Sequence, residues 1–168
     1  MEQVRTMSIM EKAVALMKAD LFKTIPTDEV ALIAARTTEV RFREGEQVPQ
    51  TGEAATSFFF VIEGKAEQLR GNVVVRRAGA GQAFGLLGLV GIDEPEVAST
   101  RISEDTHAIA LTREAFFETV GDHPAFAIAF IRAISQSVKM LATRTEELEK
   151  KLAELEGRDP DGGPREMM

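Results

Sequence analysis

After Pro124, the chain carries neither glycine nor proline until Gly157, and its apolar residues recur at alternating spacings of three and four. Ile131, Ile134, Val138, Leu141, Thr145, Leu148, Leu152 and Leu155 make up this seam. A helix brings such positions to one side, and a stripe this narrow is what two-stranded coils use. β-Branched residues at most early a positions and leucine at most d positions favour a parallel pair. With Ile131 at a, Arg144 and Lys151 take g positions, and Glu149 and Glu156 take the following e positions. Each cation then meets a carboxylate of a second copy; such exposed pairs contribute about 0–1 kcal/mol but set orientation and register. Phe126 and Phe130 lie off the seam and are expected to pack on the chain's own domain. Beyond Ala142 the flanks are too charged for a buried helix. The spacing predicts a homodimerisation helix over 124–156. The glycine- and proline-rich stretch 157–168 stops it and is expected to be a disordered tail.

The preceding residues, 7–123, read as one domain. Ser8-Ile9-Met10-Glu11 has the form of a capping box, opening a helix expected to bury Ile9, Val14, Leu16 and Met17. Leu21, Phe22 and Ile25 are expected anchors in the break that follows. Thr27 is expected to cap a second helix, with Asp28 and Glu29 in its positive first turn and Val30, Ile33 and Ala34 on one face.

From Glu39 the period changes to two. Val40, Phe42 and Val48 are apolar at strand spacing, with Gly45 in the turn between them. A run Phe58-Phe59-Phe60-Val61-Ile62 follows, which Gly64 is expected to close. Ala66 to Leu69 and Val73 to Val75 flank Arg70-Gly71-Asn72, a hairpin signal. His107 to Leu111 is the last strand, and Thr112 caps a short helix with Phe116, Phe117 and Val120 facing inward. The sequence 121–124 is expected to break that helix. Short strands punctuated by glycine predict an α+β chain: an antiparallel, jelly-roll-like β-roll flanked by N-terminal helices and a long C-terminal coiled-coil helix.

Between the strands lies a segment of distinct character, 81–102. A glycine turn leads into Phe84-Gly85-Leu86-Leu87-Gly88-Leu89-Val90, and an acidic loop leads into Pro95-Glu96-Val97-Ala98-Ser99. This resembles the phosphate-binding cassette of cyclic nucleotide-binding domains, the family of catabolite activator proteins, protein kinase A regulatory subunits and cyclic-nucleotide-gated channels. The family's cassette reads Phe-Gly-Glu, a short helix, then Pro-Arg-x-Ala-Ser/Thr. Phe84, Gly85, Pro95, Ala98 and Ser99 fit it, while Leu86 stands in place of the glutamate and Glu96 in place of the arginine. Gly45, Gly52 and Gly64 also follow the family's glycine spacing, so the resemblance covers about residues 7–141. It implies a ligand pocket at Phe84, Gly85, Leu86, Leu87, Glu96, Val97, Ala98 and Ser99.

In the family, the arginine pairs with the cyclic phosphate and the glutamate accepts the ribose hydroxyl. Losing two charge-assisted hydrogen bonds at about 1.5–3 kcal/mol each corresponds to about three orders of magnitude in affinity. The resemblance therefore implies a degenerate pocket, with no cofactor and cyclic nucleotide disfavoured. Arg101 shares the face of Ser99 on a regular strand, which makes it a possible compensating cation; a solvent-facing strand arginine is the simpler reading. The family's transcription factors carry a helix-turn-helix after the dimer helix, and none fits into 157–168.

Other chemistry is poorly supported. Gly85, Gly88 and Gly91 lack the Gly-x-Gly start of a dinucleotide loop, and Glu63-Gly64-Lys65 lacks the upstream glycine of a P-loop. The histidines, His107 and His123, have no clustered ligand set for a metal. Cysteine is absent, which suits a cytoplasmic protein. A net charge of −7 offers no basic field for nucleic acid or anionic membrane. The uninterrupted apolar run 83–92 is far short of the roughly 20 residues of a spanning helix. The expectation is a non-enzymatic, homodimeric regulatory or scaffolding module acting through a protein partner. The alternative is a small-ligand sensor whose cassette repositions the dimer helix.

Overall fold

The computed structural model describes residues 6–19, 21–48, 56–90 and 99–157. Two short helices, α1 (Ile9–Leu16) and α2 (Thr27–Ala34), precede the sheet. The Ser8 hydroxyl accepts from the Glu11 amide at 3.2 Å and the Glu11 carboxylate accepts from the Ser8 amide at 2.8 Å, closing the capping box. The buried face of α1 consists of Ala13, Ala15 and Leu16. Ile9 and Val14, expected inside, are half exposed; the small alanines, not the larger side chains, take the side that packs against the fold. Phe22 and Ile25 are buried anchors. Thr27 is the first helical residue and makes no cap, because Pro26, already extended at φ −54° and ψ 143°, occupies that position. Val30, Ile33 and Ala34 are fully buried, as their spacing predicts.

Among the described residues there are six strands: β1 (Thr38–Phe42), β2 (Gln47–Val48), β3 (Ser57–Arg70), β4 (Val73–Gly79), β5 (Ala83–Phe84) and β6 (Ser99–Thr112). They form one antiparallel sheet in the order β1-β6-β3-β4, with β2 on β6 and β5 on β3. This is the β-roll with flanking helices. The phenylalanine run of β3 is buried on both faces. Phe58 and Phe60 join the core beneath the helices, while Phe59 and Val61 fill the interior of the roll with Val48, Phe84 and Ile102. Gly64 does not end β3. The strand passes through it at φ +98°, where an added Cβ would lie 2.2 Å from the Asp105 carbonyl oxygen. The register is irregular on both sides of it, so this is a bulge that bends a long strand rather than a turn. The expected hairpin forms, but Arg70 belongs to β3 and pairs with Val73, so the loop is the two residues Gly71–Asn72 and not Arg70-Gly71-Asn72.

Thr112 caps α4 (Arg113–Asp122) by accepting from the Ala115 amide at 3.2 Å. Phe116 is buried, but Phe117 is half exposed. Successive helical residues point about 100° apart, so the two rings cannot both face the core. The helix continues through Gly121, and the break falls at His123, which Pro124 excludes from helical geometry. The Arg36 guanidinium fastens α2 to α4, donating to the Thr119 hydroxyl at 3.1 Å and to the Asp122 carboxylate at 2.7 Å.

The last helix, α5 (Pro124–Leu155), has the predicted length. Phe126, Phe130 and Ala133 are buried in the core beside Phe116. On another side lie the seam residues, from Ile131 at 62% exposure to Leu155 at 86%; Ile134 alone of the apolar seam residues is partly buried against the core. An 18-residue window of α5 reaches a mean hydropathy of 1.4, so by length and composition this helix is able to cross a membrane. That qualifies the expectation drawn from uninterrupted apolar runs alone.

Candidate functional site

The N-terminal half of the cassette is built on β3. Ala83 and Phe84 pair with Phe60 and Phe59, and the Phe84 ring stacks on Phe59 with centroids 5.0 Å apart. Gly85 follows at φ +88°, so close to β3 that a Cβ would lie 2.2 Å from the Ser57 carbonyl oxygen. Both the backbone conformation and the close approach demand glycine here. A one-turn helix, α3 (Leu86–Leu89), then begins, with the Leu89 amide donating to the Gly85 carbonyl at 3.1 Å. Leu89 is buried in the same core as Phe116, Phe126 and Phe130, and Leu86 and Val90 pack partly against it. Leu86 thus spends its side chain on packing and offers no hydrogen bond. Leu87 lies within α3. Glu96, Val97 and Ala98 fall outside the described residues.

Ser99 opens β6 opposite Leu69. Arg101 stands between Gln47 and Glu67 across the sheet. Its guanidinium donates to the Glu67 carboxylate at 2.7 Å, and Arg77 donates to the other oxygen at 3.1 Å. The hydrogen bond from Arg101, followed by that from Arg77, holds the Glu67 carboxyl below the usual glutamate range. The candidate cation is therefore already engaged, by a carboxylate that it shares with Arg77. The pairing was not anticipated from the sequence, because it depends on strand register. A second unanticipated feature is Arg76, which donates to the Ala83 carbonyl at 2.8 Å and secures the chain just before Phe84. Among the described residues, no group of three or more histidine, cysteine, aspartate or glutamate side chains is arranged to hold a metal. His107 instead bonds Glu39 at 2.9 Å.

Residues 39–123, from β1 through the cassette to the end of α4, match the sequence model of the cyclic nucleotide-binding domain. The chain belongs to that family. A cGMP-dependent protein kinase of Eimeria tenella is 30% identical over 118 residues, which are 70% of this chain and 12% of the kinase. The chain therefore spans about an eighth of that curated relative's length. The N-terminal domain of a transcriptional regulator from Streptomyces coelicolor A3(2) has the same fold, with a TM-score of 0.64 at 18% identity, covering 77% of this chain and 94% of the other. So has the regulatory subunit of a cAMP-independent protein kinase A from Trypanosoma cruzi bound to guanosine, with a TM-score of 0.58 at 20% identity over 71% and 44%. The matched residues include Phe84, Gly85 and α3, whose first helical position is a leucine.

Proposed function

We propose that this cyclic nucleotide-binding domain is a non-catalytic, cytoplasmic homodimeric module that acts through protein partners and does not bind cyclic AMP or cyclic GMP in the usual way. The pairing of Arg101 with Glu67 carries this reading. The chain lacks the family's cassette arginine, and the candidate replacement, Arg101, is already engaged by Glu67. Glu96 adds a negative charge in the arginine's position, and Leu86 is committed to the core. The seam of α5 supplies the dimer: Phe126, Phe130 and Ala133 bury only the N-terminal part of the helix, and the exposed apolar stripe that continues to Leu155 has a second copy as its natural cover. On this reading the apolar content of α5 serves its own core and that seam, not lipid.

Calorimetric titration of the purified chain with cyclic AMP and cyclic GMP tests the proposal. The expected result is no saturable heat below millimolar ligand; micromolar binding of either nucleotide overturns it.

A second reading is a small-ligand sensor, favoured by the likeness to the guanosine-bound trypanosome subunit. Guanosine carries no phosphate, so a glutamate at position 96 does not repel it. Leu89 shares a core with Phe116, Phe126 and Phe130, so a change at the cassette has a packed route to the dimer helix. Guanosine is therefore the third titrant, and saturable micromolar heat with guanosine alone selects this second reading.

A further inference from the structure

Among the described residues the sheet ends at β4, which pairs with β3 on both sides of a bulge at Val75. A strand at a sheet edge presents a row of N–H and C=O groups ready for another strand. On β4 lie Val73 and Val75, 65% and 51% exposed, followed by the exposed Arg76 and Arg77. Arg70 stands opposite Val73, and Arg101 adjoins through Glu67, the carboxylate it shares with Arg77. One glutamate among four arginines leaves a local positive surplus on a chain whose net charge is −7.

We propose that the free edge of β4 is a docking surface for an extended acidic segment of a partner protein, which adds to the sheet as a further strand. This deepens, and rests on, the reading of the chain as a partner-binding module. Main-chain hydrogen bonds supply affinity in such strand addition, and side chains supply the choice of partner. Here apolar residues of the segment meet Val73 and Val75, and its carboxylates meet Arg70 and the positive surplus about Glu67. Charge argues against two other occupants. A second copy, edge to edge, brings arginine against arginine, the device by which exposed edges avoid pairing with themselves. A nucleic acid or an anionic bilayer offers no strand, and beyond the patch it meets the negative field of the whole chain.

The test uses the full chain and a blocked pentapeptide of alternating valine and glutamate, read by hydrogen exchange. The expected result is saturable protection confined to residues 73–79, weakened by salt and absent with the valine–lysine counterpart. Arg70→Glu lowers the affinity about tenfold; if that variant does not fold, the salt dependence of the unaltered chain carries the same test. Absence of protection at millimolar peptide, equal binding of the lysine peptide, or protection by oligothymidylate or anionic vesicles while the peptide is silent overturns the proposal. Sedimentation of the same samples separates the two readings. A dimer with a silent edge overturns edge docking alone, whereas a monomer overturns the homodimeric module.

Discussion

Glu39 sits 14% exposed between the start of α1 and the last strand, accepting from the Met7 amide and from His107. Burial raises its pKa, but the Met7 amide bond and the His107 bond outweigh that and hold the carboxyl below the ordinary 4.5. A carboxyl depressed in the folded state contributes stability above its unfolded pKa and loses it as pH falls through the folded value. Glu39→Gln should therefore flatten the loss of stability below about pH 4.5; the measurement is the urea midpoint between pH 6 and pH 3, and parallel curves for both proteins refute the linkage. Gly85 makes a different prediction. Gly85→Ala imposes a strained φ, costing on the order of 1–3 kcal/mol, and a clash with the Ser57 carbonyl. Thermal denaturation should show a loss of at least that size. Residues of this kind were legible in the sequence where chemistry is local, as at Gly85 or in the Ser8 capping box. Glu67 was not. A hairpin about Gly71–Asn72 that continued the Arg70–Val73 pairing without interruption places Glu67 opposite Arg76; the bulge at Gln68/Leu69 moves it to Arg77, and no sequence signal marks that bulge.

At the scale of elements, α5 serves two sides with one sequence, and the sides separate by experiment. Phe130 is buried beside Phe116 with ring centroids 4.8 Å apart. Phe130→Ala should cost about 3–5 kcal/mol in chemical denaturation, with the chain's association unchanged. Leu148, more than half exposed on the isolated helix, should behave in the opposite way: Leu148→Asp gives a monomer by analytical ultracentrifugation with its domain still folded, and an unchanged dimer mass removes the coil. The long helix was legible because its period persists over many turns. Shorter helices carry less information. α1 has few residues with which to establish a buried face, so its alanines could not be told from Ile9 and Val14 as the inward set. The adjacent Phe116 and Phe117 are likewise equivalent in composition until the packing partner is known.

For the whole molecule, the proposed pairing would use the helix that also anchors the fold, which links the free energies of association and folding. If the seam pairs two copies, the thermal midpoint should rise with protein concentration as mass action requires; a midpoint constant from micromolar to hundreds of micromolar contradicts a dimer formed on folding. The overall arrangement of N-terminal helices, roll and long C-terminal helix was readable because glycine turns and period changes divide the chain at each junction. The far half of the cassette lies beyond the described residues, and its meaning rests on Glu96 as a residue type. The geometry of α5 also sets a length scale. Its 32 residues, at 1.5 Å of rise each, make a rod of about 48 Å, gripped at one end by Phe126 and Phe130. It is a lever with its fulcrum in the core. A tilt of about 5° there swings Leu155 by roughly 4 Å, close to the spacing of adjacent side chains, so a rearrangement too small to disturb the roll can still part the far end of a paired coil.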